Sequence, residues 1–339
     1  MIRRGLAALM LVGSLWGLPS AASALSSGGE TASVVQMRYH MGTLWTVEAH
    51  GPDAPAGMEA AFAEIGRLDR LLSTYKADSE LSRVNRDGAR GWVKVSAETR
   101  DLVARALEVA RRSNGAFDPT VGPLVQLWGF KHLDYRVPEA SAIAKARERV
   151  GYTRVRIDPE RGIRFTTPGV ELDLGAIAKG YAVDRALGIL RAHGMRSARV
   201  DAGGNQGVWG EPPGVEGWTF GIRHPRRDGD LIGATRLQAG SVSTSGDAER
   251  GFWKDGVRYG HVIDPRTGRP VAGIVSVTVR APDAETADAW STTLYVLGPE
   301  AGMAALKGMP GVDALWVMAD ADGFRVRTSP GFPWEASEP

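Results

Sequence analysis

The amino-acid sequence predicts an α+β fold, with mixed or antiparallel sheets flanked by helices. Its 339 residues are 43% hydrophobic and 24% charged, a composition that is typical of globular proteins and excludes disordered, collagen-like and disulfide-rich chains. The chain carries no internal repeat or heptad pattern, which disfavours solenoids and coiled coils. Predicted helices and strands follow one another without strict β-α-β alternation, so antiparallel or mixed sheets are favoured over a doubly wound fold.

Helices are predicted where apolar residues recur at spacings of three or four. The first is the clearest, because Met58, Phe62, Ile65, Leu68 and Leu72 fall on one face. Four of the predicted helices are 56–72, 141–150, 176–193 and 285–297. A fifth begins after Ser96, its predicted N-cap, and ends at Asn114–Gly115.

Strands are predicted from short apolar runs between glycine-rich or polar stretches. Residues 34–50 predict a strand pair around Gly42. Further strands are predicted at 155–157, 162–166, 170–174, 199–201, 218–223, 274–280, 314–319 and 324–327. Residues 243–250 and 259–268 predict two loops that bracket a strand.

Residues 1–24 have the pattern of a secretory signal peptide. Arg3 and Arg4 precede an apolar run over 5–18, and Ala22-Ser23-Ala24 fits a cleavage site. The run is short and interrupted by glycines, which disfavours a retained membrane anchor. We therefore expect a mature protein of residues 25–339 that forms a single catalytic unit in the periplasm.

Charge and cysteine content limit the function. Once Arg3 and Arg4 are removed, basic and acidic residues are equal in number, so nucleic-acid binding has no electrostatic support. The sequence contains no cysteine, which excludes disulfides, thiolate chemistry and a lipid-modified N-terminal cysteine. The paired arginines fit either the twin-arginine or the ordinary secretory route.

Residues 171–180 predict an anion site at the start of a helix. Asp173 ends a predicted strand, Gly175 makes a turn, and Lys179 lies in the first turns of the following helix. Backbone N–H groups at a helix N-terminus together with a lysine suit a phosphate. The alternative is a solvated lysine beside a glycine chosen for a tight turn.

The predicted helix 285–297 carries a set of hard oxygen ligands. Asp288, Ser291 and Thr292 stand at positions i, i+3 and i+4, hence on one face. One carboxylate and two hydroxyls suit Mg²⁺ or Ca²⁺, with waters, phosphate oxygens or a backbone carbonyl completing the shell. The alternative is a helix whose hydroxyls bond to its own carbonyls.

His261 is the candidate general base, because imidazole titrates near neutral pH. A hydrogen-bonded strand histidine is the alternative. Tyr75 lies in a polar stretch after a helix, where its ring can stack on a flat ligand or cover the edge of the core. Gly203–Gly204 precedes no predicted helix, which argues against a dinucleotide-binding Rossmann motif.

Eight segments between residues 41 and 298 occur in a distinctive order. They are MGT (41–43), LLSTYKADSELSRVN (71–85), GAFDPTVGPLVQLWGF (115–130), ELDLGAIAKGYAVD (171–184), DAGGN (201–205), STSGDAER (243–250), HVIDPRTG (261–268) and TADAWSTTLYVLG (286–298). Jointly they resemble the ApbE family, the FAD:protein FMN transferases of bacterial envelopes.

The resemblance implies an ApbE-like, T-fold-related architecture and a Mg²⁺-dependent enzyme. Such an enzyme binds FAD as its substrate, transfers the FMN half to a threonine or serine hydroxyl of an acceptor protein as a phosphoester, and releases AMP. Two alternatives stay open. One is a periplasmic FAD pyrophosphatase that releases FMN and AMP, and the other is a non-catalytic FAD carrier, which the metal face and Lys179 disfavour.

The resemblance also assigns site residues. It implies a metal held by the carbonyl of Ala176 together with Asp288, Ser291 and Thr292. The residues that it implies around FAD are Met41, Tyr75, Ala116, Phe117, Asp118, Asp173, Lys179 and Val262.

The implied partner is an acceptor protein with an FMN-binding domain, in a membrane electron-transport complex. The absence of a lipobox cysteine favours a periplasmic protein that is neither a lipoprotein nor itself transmembrane after processing. Arg3-Arg4 is compatible with the NosX-type accessory proteins among the exported members.

Overall fold

An eight-stranded antiparallel sheet organises the chain in the computed structural model, which describes residues 33–227, 229–248, 250–320 and 323–337. The predicted signal peptide, 1–24, lies outside the described residues. In spatial order the strands are β1 (Ser33–His40), β2 (Thr43–His50), β5 (Ser197–Ala202), β6 (Asn205–Trp209), β9 (Gly240–Gly246), β14 (Ile274–Ala281), β15 (Asp313–Asp320) and β16 (Gly323–Thr328). The prediction of an α+β fold with antiparallel sheets is confirmed.

The predicted strand pair over 34–50 is the hairpin of β1 and β2. His40 pairs with Thr43, so the turn consists of Met41 and Gly42 alone. Both turn residues have positive φ, 48° and 79°, as a two-residue hairpin turn of type I′ requires.

Seven α-helices lie in the described residues. Their bounds are α1 (Ala54–Leu72), α2 (Glu80–Asp87), α3 (Ala97–Arg112), α4 (Gly122–Leu127), α5 (Ala140–Arg147), α6 (Ala178–Ala192) and α7 (Ala284–Leu306). The N-cap prediction at Ser96 is confirmed, since its side chain accepts a hydrogen bond from the Thr99 N–H. The prediction that the last helix ends at Leu297 marks a real break, because Gly298 is non-helical before Pro299, but α7 continues beyond it.

Helices α1, α6 and α7 cover one face of the large sheet. Helix α6 packs on α1, α7, β5 and β6, and α7 packs on β9 and β14. The buried face of α1 carries the apolar residues that predicted it, including Met58, Phe62 and Ile65. This layer places the N-terminal turns of α6 and α7 together over the middle of the sheet.

Smaller sheets complete the fold. They are β7 (Trp218–Arg223) with β8 (Leu231–Leu237) and β17 (Glu335–Ala336), β3 (Val155–Asp158) with β4 (Gly162–Phe165), β10 (Gly251–Lys254) with β11 (Val257–Gly260), and β12 (Ile263–Asp264) with β13 (Arg269–Pro270). The first of these packs on the large sheet through Ile222 and Ile232, which cluster with Leu315 and Val317 of β15. Alternate β15 residues face α7, so this contact is on the opposite face.

The predicted strand at 170–174 is wrong, since only Glu171 makes an isolated bridge. Its apolar side chains, Val170, Leu172 and Leu174, are buried, but its backbone partners do not form a strand. The Asn85 amide donates to the Leu172 carbonyl at 2.8 Å and its oxygen accepts from the Leu172 N–H at 2.7 Å. The Asp173 N–H also donates to the Pro119 carbonyl at 2.7 Å, so one side chain and one turn carbonyl take the place of a strand ladder.

The predicted loop at 243–250 is wrong over its first half, because 243–246 belongs to β9. Tyr259 and Gly260 likewise lie in β11. Serine and glycine dominate the 243–246 stretch and gave no apolar alternation to indicate a strand. Pairing of β9 with both β6 and β14 supplies the backbone partners.

Candidate active site at the junction of two helices

Helices α6 and α7 meet through hydrogen bonds in both directions. The Gly180 N–H, in the first turn of α6, donates to Asp288 Oδ2 at 2.9 Å. In return, Asp184 of α6 accepts from the N–H groups of Ala284 and Glu285, both at 2.8 Å. These donors are among the first N–H groups of their helices, which have no partner within the helix.

The contact at Gly180 demands glycine. A Cβ there would lie 2.7 Å from Asp288 Cβ and closer still to the carbonyl oxygen of Ala284. Real Cβ atoms do not approach this closely, so a side chain at 180 would push the helices apart. The backbones of the two helix N-termini are therefore in direct contact.

Asp288 is a buried carboxylate, 3% exposed. Burial raises its pKa, and the positive charge of Lys179 and the Gly180 N–H act in the opposite direction. A buried carboxylate is costly unless a cation or hydrogen bonds compensate it. The position of Asp288 is thus one where a bound cation would be favourable.

A cluster of hydroxyl groups adjoins Asp288. Ser291 Oγ donates to the Asp288 carbonyl at 2.9 Å and lies 2.8 Å from Ser245 Oγ of β9. Ser245 Oγ also lies 3.2 Å from Thr292 Oγ1, and Ser243 Oγ lies 3.2 Å from Ser291 Oγ. Ser243 in turn donates to Asn205. The Ser291 bond to its own helix is the alternative weighed from the sequence, and it coexists with these contacts to β9.

The predicted metal ligands of α7 thus converge with hydroxyls of β9. Their chemistry fits a hard cation such as Mg²⁺, which takes carboxylate and other oxygen ligands and keeps positions for water or phosphate. Within the described residues no group of three or more histidine, aspartate and glutamate side chains offers an all-protein cage. A cation here would share its shell with ligands from outside the chain.

The segment before α6 faces the same junction. Asp173 Oδ1 accepts from the Gly175 N–H at 2.8 Å, which closes the turn that holds Ala176. Lys179 Nζ donates to the Gly175 carbonyl at 2.7 Å. The ammonium group is half-buried. It lies close enough to Asp288 and His261 for its positive charge to lower the pKa of both residues. The positive charge of Lys179 therefore lies at the site where the sequence predicts that an anion binds.

His261 contacts the Arg250 backbone and lies close enough to Lys179 for the ammonium charge to act on its imidazole. Its N–H donates to the Arg250 carbonyl at 3.1 Å, and Nδ1 lies 3.2 Å from the same oxygen. A carbonyl only accepts, so Nδ1 carries the proton and Nε2 keeps its lone pair. Desolvation, with the charges of Arg250 and Lys179, lowers the pKa of His261 to about 4. His261 is therefore a neutral imidazole with a free basic nitrogen at neutral pH.

The residues predicted around FAD occupy different settings. Ala116 and Val262 are buried in the cluster that contains Trp290 of α7. Met41 is half-buried in the turn between β1 and β2. Tyr75 is 64% exposed, with the Lys131 ammonium 5.9 Å from its ring centroid. The assignment of these residues to the FAD site stays a prediction.

The side chains of Asp118 and Phe117 make contacts that stabilise the fold. Asp118 accepts from the Thr120 N–H at 2.8 Å, the Thr120 hydroxyl at 2.6 Å and the Tyr152 N–H at 2.9 Å, while burial raises its pKa. Phe117 is buried in the main core. The prediction that 116–118 borders the flavin is untested, and the Asp118 carboxylate already holds three donors.

Sequence reasoning did not assign Ser243, Ser245 or Asp184 to the site. Ser243 and Ser245 stand at i and i+2 in a strand, so they share a face. That signal was available only if 243–246 had been predicted as a strand. Asp184 lies one turn after Gly180 on α6, and this spacing indicates that the two residues share a helix face. The spacing does not indicate that Asp184 caps α7.

The comparisons with known proteins agree on one family. The model of the ApbE family matches residues 41–316. The chain is 35% identical to a FAD:protein FMN transferase of Klebsiella pneumoniae, over 91% of this chain and 90% of that protein. It is 36% identical to the FAD:protein FMN transferase of Treponema pallidum, over 86% and 85% of the two chains.

Solved structures show the same fold. The ApbE protein of Thermotoga maritima superimposes with a TM-score of 0.81 at 35% identity, over 88% of this chain and 97% of that one. The flavinyl transferase ApbE of Pseudomonas stutzeri superimposes with a TM-score of 0.80 at 33% identity, over 89% and 96%. The expected ApbE-like architecture is confirmed.

Proposed function

The chain belongs to the ApbE family, and on that premise we propose that it is a FAD:protein FMN transferase. It takes FAD as substrate and joins the FMN half to a threonine or serine hydroxyl of an acceptor protein. The observation that carries the proposal is the junction of α6 and α7. There a buried Asp288, the Lys179 ammonium and a hydroxyl cluster meet, beside a neutral His261.

The junction suits a diphosphate with its cation. Asp288, Ser291, Thr292 and the carbonyl of Ala176 would hold Mg²⁺. When bound, the cation neutralises charge on the diphosphate and on the departing AMP. Lys179 adds a fixed positive charge from the first turn of α6, where the helix N-terminus also favours anions.

The transfer exchanges one phosphorus–oxygen bond for another. The acceptor hydroxyl oxygen attacks the phosphorus on the FMN side of the diphosphate, and the bond from that phosphorus to the bridging oxygen of AMP breaks. The products are the FMN phosphoester of the acceptor and AMP. Lys179 stabilises the negative charge that develops on the phosphate oxygens.

His261 would receive the proton of the attacking hydroxyl. Its Nε2 is unprotonated because the Arg250 carbonyl fixes the proton on Nδ1. A pKa of about 4 makes it a weak base, but it is present in the basic form at every pH near neutrality. The proton acceptor is thus always available, while the driving force for transfer comes from the charge stabilisation around the phosphate.

The decisive experiment follows both halves of FAD. The purified chain is incubated with FAD, Mg²⁺ and an FMN-binding acceptor domain that carries the threonine to be modified. Intact mass and released nucleotides are then measured. We expect the acceptor to gain one FMN, AMP to appear in equal amount, and both products to vanish on chelation of Mg²⁺.

Other outcomes would assign a different activity. Free FMN and AMP with an unmodified acceptor would favour the pyrophosphatase. Intact FAD that remains bound to the chain would favour the carrier. Formation of product in the presence of chelator would remove Mg²⁺ from the proposal.

We propose that the protein acts in the periplasm, on an acceptor of a membrane electron-transport complex. The pattern of residues 1–24 supports export. Among the described residues no helix is long and apolar enough to cross a bilayer. N-terminal sequencing of the protein purified from the periplasmic fraction tests this, with Leu25 expected as the first residue. A protein that stays in the cytoplasmic fraction with Met1 in place would contradict it.

A further inference from the structure

Four exposed apolar side chains lie together at the edge of the large sheet. They are Val35, Met37 and Tyr39 of β1 and Leu44 of β2, which are 53%, 61%, 71% and 53% exposed. We call them the apolar stripe. In the part of the chain that the structure describes, the exposed large hydrophobic side chains number ten, so four of them fall on this one patch.

The stripe reverses the usual pattern of an edge strand. Strand β1 turns Gln36, Arg38 and His40 towards the helix side, where Arg38 lies 4.5 Å from the Phe62 ring centroid and His40 stacks on the same ring. Its other face, turned away from the helices, presents Met37 and Tyr39 to solvent. A solvated sheet face normally carries polar residues, and a contiguous exposed apolar patch marks an interaction site.

The composition of the stripe suits a protein partner. Tyrosine and methionine are enriched in protein–protein interfaces. In the register of the hairpin Tyr39 stands opposite Leu44, and Met37 and Val35 stand opposite Thr46 and Glu48. The stripe is therefore an apolar row at the sheet edge with polar groups along one side.

The stripe ends beside the candidate active site. It runs into the turn of Met41 and Gly42, and the Cβ position of Gly42 lies 3.8 Å from Arg250 Nη2. The carbonyl of Arg250 accepts the hydrogen bond of His261. The end of the sheet that carries the stripe thus also carries the base predicted to receive the acceptor proton.

We propose that the acceptor flavoprotein docks on the apolar stripe, an inference that rests on the proposed function. A protein whose hydroxyl reaches His261 must cover surface next to this end of the sheet, where the exposed Tyr39 and Leu44 of the stripe flank the Met41–Gly42 turn. A second copy of the chain on the stripe would compete for the same approach to the turn. The occupant we commit to is the acceptor, because the stripe ends at the turn where Gly42 lies next to the Arg250 side chain, and the Arg250 carbonyl holds His261.

The test compares the stripe with a matched surface position. Met37→Glu and Leu44→Glu place a charge on the stripe. Val215→Glu is the control, because Val215 is 60% exposed in the segment after β6, at the end of that strand away from the Gly203–Gly204 turn. The acceptor domain is the one that the wild-type chain labels with FMN. The measurements are KM and kcat for that domain, FAD affinity, melting temperature and molar mass in solution.

We expect each stripe variant to raise KM for the acceptor at least tenfold. Values of kcat, FAD affinity and melting temperature should stay near those of the wild type, and Val215→Glu should leave every value unchanged. An unchanged KM in both stripe variants would overturn the proposal. So would a wild-type dimer that Met37→Glu converts to a monomer without a change in acceptor kinetics, since the stripe would then bind a second copy.

Failure of the proposed function would be visible separately. It depends on the wild-type chain alone, which would then label no acceptor domain and release no AMP. The docking proposal depends instead on the ratio of variant to wild-type KM. A loss of kcat or of FAD affinity in the stripe variants at constant KM would contradict docking while leaving the transferase in place.

Discussion

Asp184 and Asp288 each cap the helix that carries the other. Asp184 of α6 accepts from the first N–H groups of α7, and Asp288 of α7 accepts from the Gly180 N–H in the first turn of α6. The hydrogen bonds fix the rotation of α7 about its axis relative to α6. That rotation decides whether Asp288, Ser291 and Thr292 face the hydroxyls of β9 and the Lys179 ammonium.

Replacing Asp184 should weaken Mg²⁺ binding at Asp288, Ser291 and Thr292 and also lower the stability of the fold. Asp184→Ala leaves two N–H groups of α7 without their acceptor, which costs about 1–3 kcal/mol of unfolding free energy. The variant also lacks the hydrogen bonds from α7 to Asp184 of α6, so the orientation of α7 is less well fixed. We therefore expect the Mg²⁺ concentration for half-maximal FMN transfer to rise severalfold. Urea unfolding and Mg²⁺ titration of the activity measure the two effects.

Asp283→Ala is the matched control. Asp283 caps the same helix through the Thr286 N–H, a hydrogen bond made within α7 rather than to α6. It should cost about 1 kcal/mol and leave the Mg²⁺ requirement unchanged. If both variants shifted the Mg²⁺ requirement equally, Asp184 would have a role in helix stability alone.

The close approach at Gly180 should tolerate no side chain. Gly180→Ala is expected to lower the free energy of unfolding by about 1–3 kcal/mol through overpacking, and to reduce FMN transfer because Asp288 must move. Gly188→Ala, on the same helix with nothing within 4 Å of its Cβ position, should be neutral or stabilising by up to about 1 kcal/mol. Equal stability of the two variants in thermal melts would show that the helices separate without cost.

Asp288→Ala should abolish FMN transfer and weaken Mg²⁺-dependent binding of FAD. The physical reason is the loss of the buried carboxylate that offers negative charge to the cation. Glu300→Gln removes an acid that is 75% exposed on the same helix and should change neither quantity. Fluorescence titration of FAD with and without Mg²⁺ provides the measurement, and wild-type turnover of Asp288→Ala at low Mg²⁺ would remove this residue from the metal site.

The pH dependence of stability should report the lowered pKa of His261. Its pKa is about 4 in the folded protein against an ordinary value of 6.5, so the unfolded chain binds a proton between these values and the folded protein does not. Stability is therefore fully present above pH 6.5 and is lost as pH falls towards 4. Relative to His261→Gln, the wild type should show an extra uptake of about one proton on unfolding in this window.

The same pKa predicts the activity profile. FMN transfer should show no fall in kcat/KM as pH drops from 7 to 6, where an ordinary histidine becomes protonated. A limb of the pH–rate profile near 6.5 that disappears in His261→Gln would contradict the lowered pKa. A His261→Gln variant with full activity would remove the base from the mechanism.

Local sequence signals predicted those elements whose stabilisation is local. The helix over 97–112 has its own N-cap at Ser96, and the hairpin of β1 and β2 has a two-residue turn with Gly42. Segment 170–174 was misassigned because its backbone is held by Asn85, which lies 87 residues from Leu172. Strand β9 was missed because its partners, β6 and β14, rather than its own side chains, make it a strand.

For the site, the pattern of residues along the chain indicates which chemistry is available. The i, i+3, i+4 spacing of Asp288, Ser291 and Thr292 puts three oxygen ligands on one helix face, and the order of motifs identifies the family. The protonation of His261, the contact of α7 with Ser245, and the mutual capping by Asp184 and Asp288 come from the packed fold. Spacing along a helix fixes a shared face, but burial and hydrogen bonds between distant segments arise only when the chain has packed.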